Sequence, residues 1–561
     1  MYRLLASLTF LTVVAGAPAL AQQQPPVRVG RVSFVSGNLA FHTAGETEWS
    51  AATVNYPVAT GASLWTDAEA RAEIRIGPDT IEMASSTALD VAVLDDRATQ
   101  LNVPQGRIYI HLRRLDEGQS VEVDIPGGAV QPVRPGYYDI DAGTPDQAAR
   151  IGVFEGSARF VGGGADIAVK SGDVAMLSGI SPVTAALERA AADAFVEWCR
   201  SRDYDERRLV APYHVSPNMT GYAELDSSGR WDTAQGYGDV WYPNVPAGWV
   251  PYADGRWVWI VPWGWTWVDA ESWRFAPCHY GRWALIGESW AWVPGAFEPS
   301  PVYAPALVGF LSGSGVGLYF SGAIGPQVGW FPLAPGEVYW PSYASDPSYI
   351  RRLNQANVAD IDGIHIPRDG RPPADVATAV FVNRRFATVV PQHVFAGAGR
   401  VAPAALHPAA SALERAPITM WAPQIRPAPA RGAPSRTALL PSRLGTAYGS
   451  PQPGRPTGTT AVPRLPRPGE APVHPGITVS LSRRSFTGQE NHPTRSVATH
   501  LHAPAPAFHA PAQAYHAPAH APQQVARVPQ RLKSSGAVAQ APRGGGAAPA
   551  RSSGDKGDRH D

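Results

Sequence analysis

The sequence predicts a mainly β protein, built as a β domain, a short linking helix, a tryptophan-rich domain of repeated short strands and a disordered C-terminal tail. Three observations carry that expectation. Short runs of alternating apolar and polar residues recur with glycines between them, as strands separated by turns do. The triplet Gly-Arg-Trp stands at 229–231, 255–257 and 281–283, a constant step of 26 residues. From about residue 401 onward, Pro, Ala, Arg, Ser and Gly displace the apolar periodicity that a packed core needs.

In chain order, residues 1–21 read as a secretory signal peptide. Arg3 supplies the positive start, Leu4 to Gly16 the short apolar run, and Ala19-Leu20-Ala21 a small-x-small cleavage site. The apolar run is too short for a membrane span, so no transmembrane helix is expected after cleavage. Residues 27–180 form the first β domain. Arg71 to Gly77 alternates, Pro78-Asp79 turns the chain, and Thr80 to Ala84 alternates again, which predicts a hairpin. Residues 182–209 are rich in Ala, Glu and Arg, and Leu187, Ala191, Phe195 and Trp198 fall at helical spacing, predicting one linking helix.

Residues 213–300 hold the repeat. Twelve of the 18 tryptophans lie between Trp231 and Trp292. Each Gly-Arg-Trp is followed by Gly-x-x-Trp, at Gly238 to Trp241, Gly264 to Trp267 and Gly287 to Trp290. A fixed period with matched internal marks predicts a structural repeat, each unit a hairpin or three short strands. Residues 301–400 continue the domain. The stretch 299–336 carries no charge, but Ser312-Gly-Ser-Gly315 and Gly325-Pro326 interrupt it, so strands at Ala306–Leu311, Val316–Phe320 and Val328–Pro332 are expected rather than a membrane span. Residues 401–561 are the expected disordered Pro/Ala/Arg/His-rich tail, in which His502, His509, His516 and His520 each begin a His-Ala-Pro phrase.

The formal net charge of zero conceals an asymmetry. Residues 401–561 hold 18 Lys and Arg against 6 Asp and Glu, so an acidic body carries a basic tail. The two cysteines, Cys199 and Cys278, are too few for a disulfide framework, although an oxidising compartment would permit them to pair. No phosphate-binding glycine loop, nucleophile elbow or His-Glu-x-x-His stands in the sequence, and Cys278-His279 lacks the second half of a metal site. No enzyme activity, cofactor, metal or nucleic-acid partner is therefore expected.

Two blocks resemble known families. Trp49, Gly61-Ala-Ser-Leu-Trp-Thr-Asp67, Ala70 to Gly77, Gly156 and Val169-Lys-Ser-Gly172 make residues 30–177 resemble the FecR family, the periplasmic domain of iron-dicitrate-type regulators. Residues 221–400 resemble a Trp/Pro-rich domain of unknown function commonly found with it, through Gly255-Arg-Trp-Val-Trp259, Gly264-Trp-Thr-Trp-Val268, His279-Tyr-Gly-Arg-Trp283, Trp292-Val-Pro-Gly295 and Gly329-Trp-Phe-Pro-Leu333. The resemblance implies export and an all-β body, and supplies no catalytic residue set. FecR regulators carry a cytoplasmic segment and a transmembrane helix ahead of this domain. This chain begins instead with a signal peptide, so contact with a cytoplasmic sigma factor is not implied.

The tryptophans have two readings. Stacked on one another they make the core of a short-stranded repeat, each burying about 150–250 Å². With one face open they stack on sugar rings or hold a protein partner. Core packing is the expected role for most of them, with the exposed-face reading left open. The candidate binding residues are Trp257, Trp259, Trp265, Trp267, Trp283 and Trp290, with Arg256 and Arg282 beside them. Arg230, Arg256 and Arg282 are placed to stack on neighbouring rings. The expected function is an exported, non-enzymatic binding or scaffold protein of the bacterial envelope, periplasmic or at the cell surface. It would recognise polysaccharide, peptidoglycan or an envelope protein. The alternative is a FecR-like envelope signalling module acting through a protein partner.

Overall fold

The computed structural model describes residues 25–43, 49–311, 325–373 and 380–428. The expected signal peptide, the strand expected at Val316–Phe320 and the expected tail beyond residue 428 lie outside the described residues. Strand accounts for 40% of the structure and helix for 13%, so the fold is mainly β.

The N-terminal body is two nine-stranded sheets packed face to face. Arg71–Ile76 and Asp79–Met83 form a hairpin in the middle of the first sheet. Strand neighbours are antiparallel throughout, apart from Ser120–Ile125, which lies parallel to Ala98–Gln105 in the second sheet. The alternation has a simple cause. Ile74, Ile81, Ile108 and Ile151 of one sheet and Leu89, Leu101, Val123 and Phe160 of the other point into one shared core.

The outer face of the first sheet is charged and yet covered. A helix, Ala194–Ser201, lies over it, with Asp193 accepting hydrogen bonds from the Phe195 and Val196 amides at its start. Phe195, Val196 and Cys199 pack on Tyr109. Arg107 pairs with Asp139 at 2.6 Å and with Asp193 at 2.6 Å, and Arg202 pairs with Glu73 at 2.7 Å while lying 3.9 Å over the Phe34 ring.

The linking helix expected over 182–209 is therefore corrected to eight residues. Thr184–Arg189 is instead an edge strand paired with Asp173–Ser178, all six of its residues exposed. Its Ala, Glu and Arg residues favour helix, but pairing with an open sheet edge satisfies more backbone than an isolated helical turn would. The helix begins only where Asp193 can cap it.

Buried charges join the two bodies. Arg31, fully buried, is ion-paired with Glu224 and donates to Asn55 Oδ1 at 3.0 Å and the Ser272 carbonyl at 3.2 Å. Arg75 bridges Glu224 at 2.6 Å and Glu73 at 2.8 Å. Asn55, at φ +68°, donates to the Asp269 and Glu271 carbonyls at 3.2 and 2.7 Å. Asparagine tolerates that left-handed conformation.

Beyond the junction come three hairpins: Gly229–Ala234 with Gly238–Pro243, Gly255–Ile260 with Gly264–Asp269, and Arg282–Ile286 with Ser289–Val293. The first and third share a four-stranded sheet through Trp241 and Trp292. A second four-stranded sheet, in the order Thr388–Pro391, Gln327–Pro332, Val308–Leu311, Ile418–Thr419, covers the middle hairpin's aromatic face.

The start of the expected tail is corrected accordingly. Residues 401–428 are packed, with Val401, Leu413, Ile418 and Met420 buried and Ile418–Thr419 completing a sheet. Their prolines interrupt regular structure without preventing these apolar side chains from docking.

Candidate binding surface

Each repeat is built on one device. The glycine of Gly-Arg-Trp lies under the indole of a tryptophan on the return strand. A Cβ on Gly229 would stand 2.4 Å from Trp241, one on Gly255 2.6 Å from Trp267, and one on Gly281 2.4 Å from Trp292. The tryptophan of the triplet then faces the same indole across the hairpin, as Trp231 to Trp241, Trp257 to Trp267 and Trp283 to Trp292. In the third unit the matching indole is thus Trp292, while Trp290 opposes Leu285. The loop there has two residues, 287–288, against three in the other hairpins, which moves the register.

The covered indoles are a core. Trp257 meets Trp330 and Phe310 with ring centroids 5.4 Å apart and Trp267 at 5.5 Å. Trp283 meets Trp249 at 5.4 Å and Trp290 meets Phe386 at 5.2 Å. Indole N–H groups are spent internally as well: Trp241 on the Leu225 carbonyl, Trp267 on Asp269, Trp283 on the Pro277 carbonyl and Trp292 on the Tyr280 carbonyl. Trp257, Trp265, Trp267, Trp283, Trp290 and Arg282 are all buried, so their place in an open binding face is corrected to a place in the core. Phe310, Trp330, Phe386 and Phe395, far along the chain, supply the cover.

The arginines diverge. Arg230 lies 4.5 Å over the Tyr242 ring at the surface. Arg282 turns inward and donates to the Gly281 and Glu337 carbonyls and to Asn354 Oδ1, at 2.8, 3.2 and 2.8 Å. Burial lowers its pKa to about 10. Arg256 is half-buried and, among the described residues, has no carboxylate within ion-pair distance.

Asp269, Arg274 and Cys278 form a polar knot behind the repeat, and the neighbouring His279 is buried against the Phe275 and Tyr303 rings. Asp269 accepts from Trp267 and from Arg274, each at 2.9 Å. Burial lifts the Asp269 pKa to about 6 despite the Arg274 charge. His279 donates to the Ala304 carbonyl, and burial depresses its pKa to about 3, keeping it neutral. Cys199 and Cys278 are separate buried thiols. Among the described residues, no three His, Cys, Asp or Glu side chains gather as a metal site requires.

One end of the second hairpin stays open. Trp257, Trp259, Trp265 and Trp267 share one face, with Trp257 opposite Trp267 and Trp259 opposite Trp265. The inner pair is enclosed. Trp259, by contrast, is 43% exposed, stands edge-on to Trp265 at 5.6 Å, and has the exposed Val261 two residues on. This is where the sequence-derived binding residues reach solvent.

A second concavity, about 670 Å³, opens on the first sheet. Asp203 is its hub, bonded to His111 Nδ1 at 3.0 Å, to the Tyr137 hydroxyl at 2.8 Å and to Arg113, with the His111 and Tyr137 rings stacked at 3.9 Å. Burial pushes the Asp203 pKa up, but the His111 hydrogen bond and the Arg113 charge outweigh it and hold the group at about 2. An aspartate held ionised and shared by three donors is a structural tie rather than a proton donor. Sequence reading missed it because its partners lie 66, 90 and 92 residues away.

Residues 222–337 match a family of unknown function, DUF6600. No FecR-family match is found over the N-terminal body. No curated protein matches the chain. Two crystal structures of a candidate anti-sigma factor from Parabacteroides distasonis are similar to parts of it. The first is 10% identical, covers 24% of this chain and 64% of its own length, with a TM-score of 0.22. The second is 12% identical, covers 33% and 99%, with the same TM-score of 0.22. The chain thus spans a little under two thirds of the first. Among the described residues, no helix is long and apolar enough to cross a membrane.

Proposed function

We propose that this chain is an exported, non-enzymatic binding protein of the bacterial envelope, whose repeat is a rigid scaffold and whose open aromatic end meets the ligand. The observation that carries the reading is Trp259, exposed at the end of a face whose other indoles are covered. An indole held edge-on by Trp265 keeps its ring in place, so stacking on a sugar ring or a partner's side chain costs little ordering entropy. The half-buried Arg256 lies on the opposite face of the same hairpin, paired across the ladder with Val268, and takes no part in this surface. Export rests on the signal-like first 21 residues.

Co-sedimentation of the full chain with isolated cell-wall sacculi, at low and high salt, tests the reading. Retention that survives high salt and falls roughly tenfold in Trp259→Ala is expected, the loss typical of one central aromatic contact. Retention that vanishes at high salt would place the contact in the basic tail instead. Equal retention of Trp259→Ala would overturn the role given to this face.

A further inference from the structure

The outer end of the four-indole face is lined by a segment of the chain itself. After Ile418–Thr419 completes its sheet, residues 420–428 run across the second hairpin outside any helix or strand. Their sequence is Met-Trp-Ala-Pro-Gln-Ile-Arg-Pro-Ala, with prolines at 423 and 427. Trp265 donates its indole N–H to the Ile425 carbonyl at 3.2 Å. Ala422 and Ile425 rest against the core, and the Ala428 amide is held by the Ala396 carbonyl at 2.8 Å. Gln424, Arg426 and Pro427 face solvent. Phe395, with its ring centroid 4.4 Å from that of Trp265, completes the wall.

From this seating we infer that the face is a receptor for proline-spaced peptide segments, occupied in cis by residues 420–428. This deepens the binding reading given above for the same hairpin, because it names the ligand class. Three physical features support it. Proline fixes its own φ and removes a backbone donor, so a proline-spaced segment loses little entropy on docking and presents mainly carbonyls. An aromatic wall with indole N–H donors suits that chemistry, as Trp265 on Ile425 demonstrates. The floor also has donors to spare. A cavity of about 20 Å³ lies beneath Met420 and Ala422, lined by Trp257, Trp263 and Trp265. Trp257 and Trp263, which line it, have buried indole N–H groups with no protein acceptor among the described residues. Beyond the buried Met420 the segment is held by one indole hydrogen bond at Ile425 and by the Ala428 amide, with Gln424, Arg426 and Pro427 in solvent, so residues 422–428 are its replaceable part.

The test uses the full chain and a fluorescent synthetic peptide of residues 418–431. Ile425→Asp weakens the cis segment by placing a charge where an alkyl group rests. This variant is expected to bind the peptide at least about tenfold more tightly than the wild type, whose own segment competes at high effective concentration. Adding Trp265→Phe removes the indole N–H while keeping an aromatic ring, and should weaken the peptide roughly three- to tenfold, the value of one hydrogen bond. No gain for Ile425→Asp over wild type, or no loss on adding Trp265→Phe, overturns the inference. Hydrogen exchange guards against a folding artefact: Trp265→Phe alone should speed exchange in 420–428 and leave the remote hairpin 71–83 unchanged. Unchanged exchange in 420–428 would also overturn it. No envelope material enters this assay, so its failure and failure of the sacculus reading are separable.

Discussion

Gly255→Ala places one methyl group where the repeat has no room for it. The new Cβ would stand 2.6 Å from Trp267 Cζ2 and 2.6 Å from the Val268 carbonyl. Neither neighbour can give way at low cost. Trp267 is held by ring contacts with Tyr252, Trp257 and Trp330 and by its hydrogen bond to Asp269, and the carbonyl belongs to the hairpin ladder. Overpacking of this kind costs about 1–3 kcal/mol. Replacing glycine by alanine returns about 0.4–1 kcal/mol by restricting the unfolded chain, so a net loss of about 1–2 kcal/mol is expected. Urea unfolding followed by tryptophan fluorescence reads this directly. With a slope of about 3 kcal/mol/M, the midpoint should fall by roughly 0.3–0.7 M. Gly152→Ala is the control, because its Cβ would meet nothing closer than Asp139 Cβ at 3.4 Å, an ordinary contact. Equal midpoints for Gly255→Ala and Gly152→Ala would refute the account of why the triplet begins with glycine.

Three further outcomes follow from the buried polar groups. Burial, reinforced by the Glu73 charge, lifts the Glu82 pKa from 4.5 to about 8. Folding therefore takes up a proton on Glu82, a stabilisation fully present below about pH 4.5 and lost as pH rises to about 8. The urea midpoint should accordingly drop between pH 5 and 8.5 in the wild type, and Glu82→Gln should flatten that drop. Glu224→Gln leaves Arg31 buried without its carboxylate and should cost about 3–5 kcal/mol, measured as a lower thermal midpoint or as separate melting of the two bodies. Burial raises the thiol pKa values of both Cys199 and Cys278, so an aromatic disulfide reagent should titrate no thiol in the native protein and two in denaturant.

Much of the fold was legible because strand alternation is local. The pattern Arg71–Ile76 places Ala72, Ile74 and Ile76 inward whatever lies elsewhere in the chain. The 26-residue step was equally legible, since it is counted along the sequence, yet the third unit's Gly287 to Trp290 match was off register. A period of two assigns Trp290 and Trp292 to one face, but loop length alone decides which of them opposes Trp283. Which indoles of a face are covered was not legible. Trp257 and Trp259 share a face, and only Phe310, Trp330 and Phe395, which lie between 51 and 138 residues beyond them, bury one and not the other. Residues 182–209 misled for a related reason: helix-favouring composition lost to an open sheet edge at Thr184–Arg189. The packed stretch 401–428 was hidden by its prolines, which mask the few apolar residues that dock.

Hydroxyl-radical footprinting of the intact chain, read by mass spectrometry at each tryptophan, tests the central claim most directly. Ready oxidation of Trp259 is expected, with Trp241, Trp257, Trp267, Trp283 and Trp292 protected until the protein unfolds. Comparable oxidation of all six in the native protein would mean that the repeat is an open aromatic surface rather than a core.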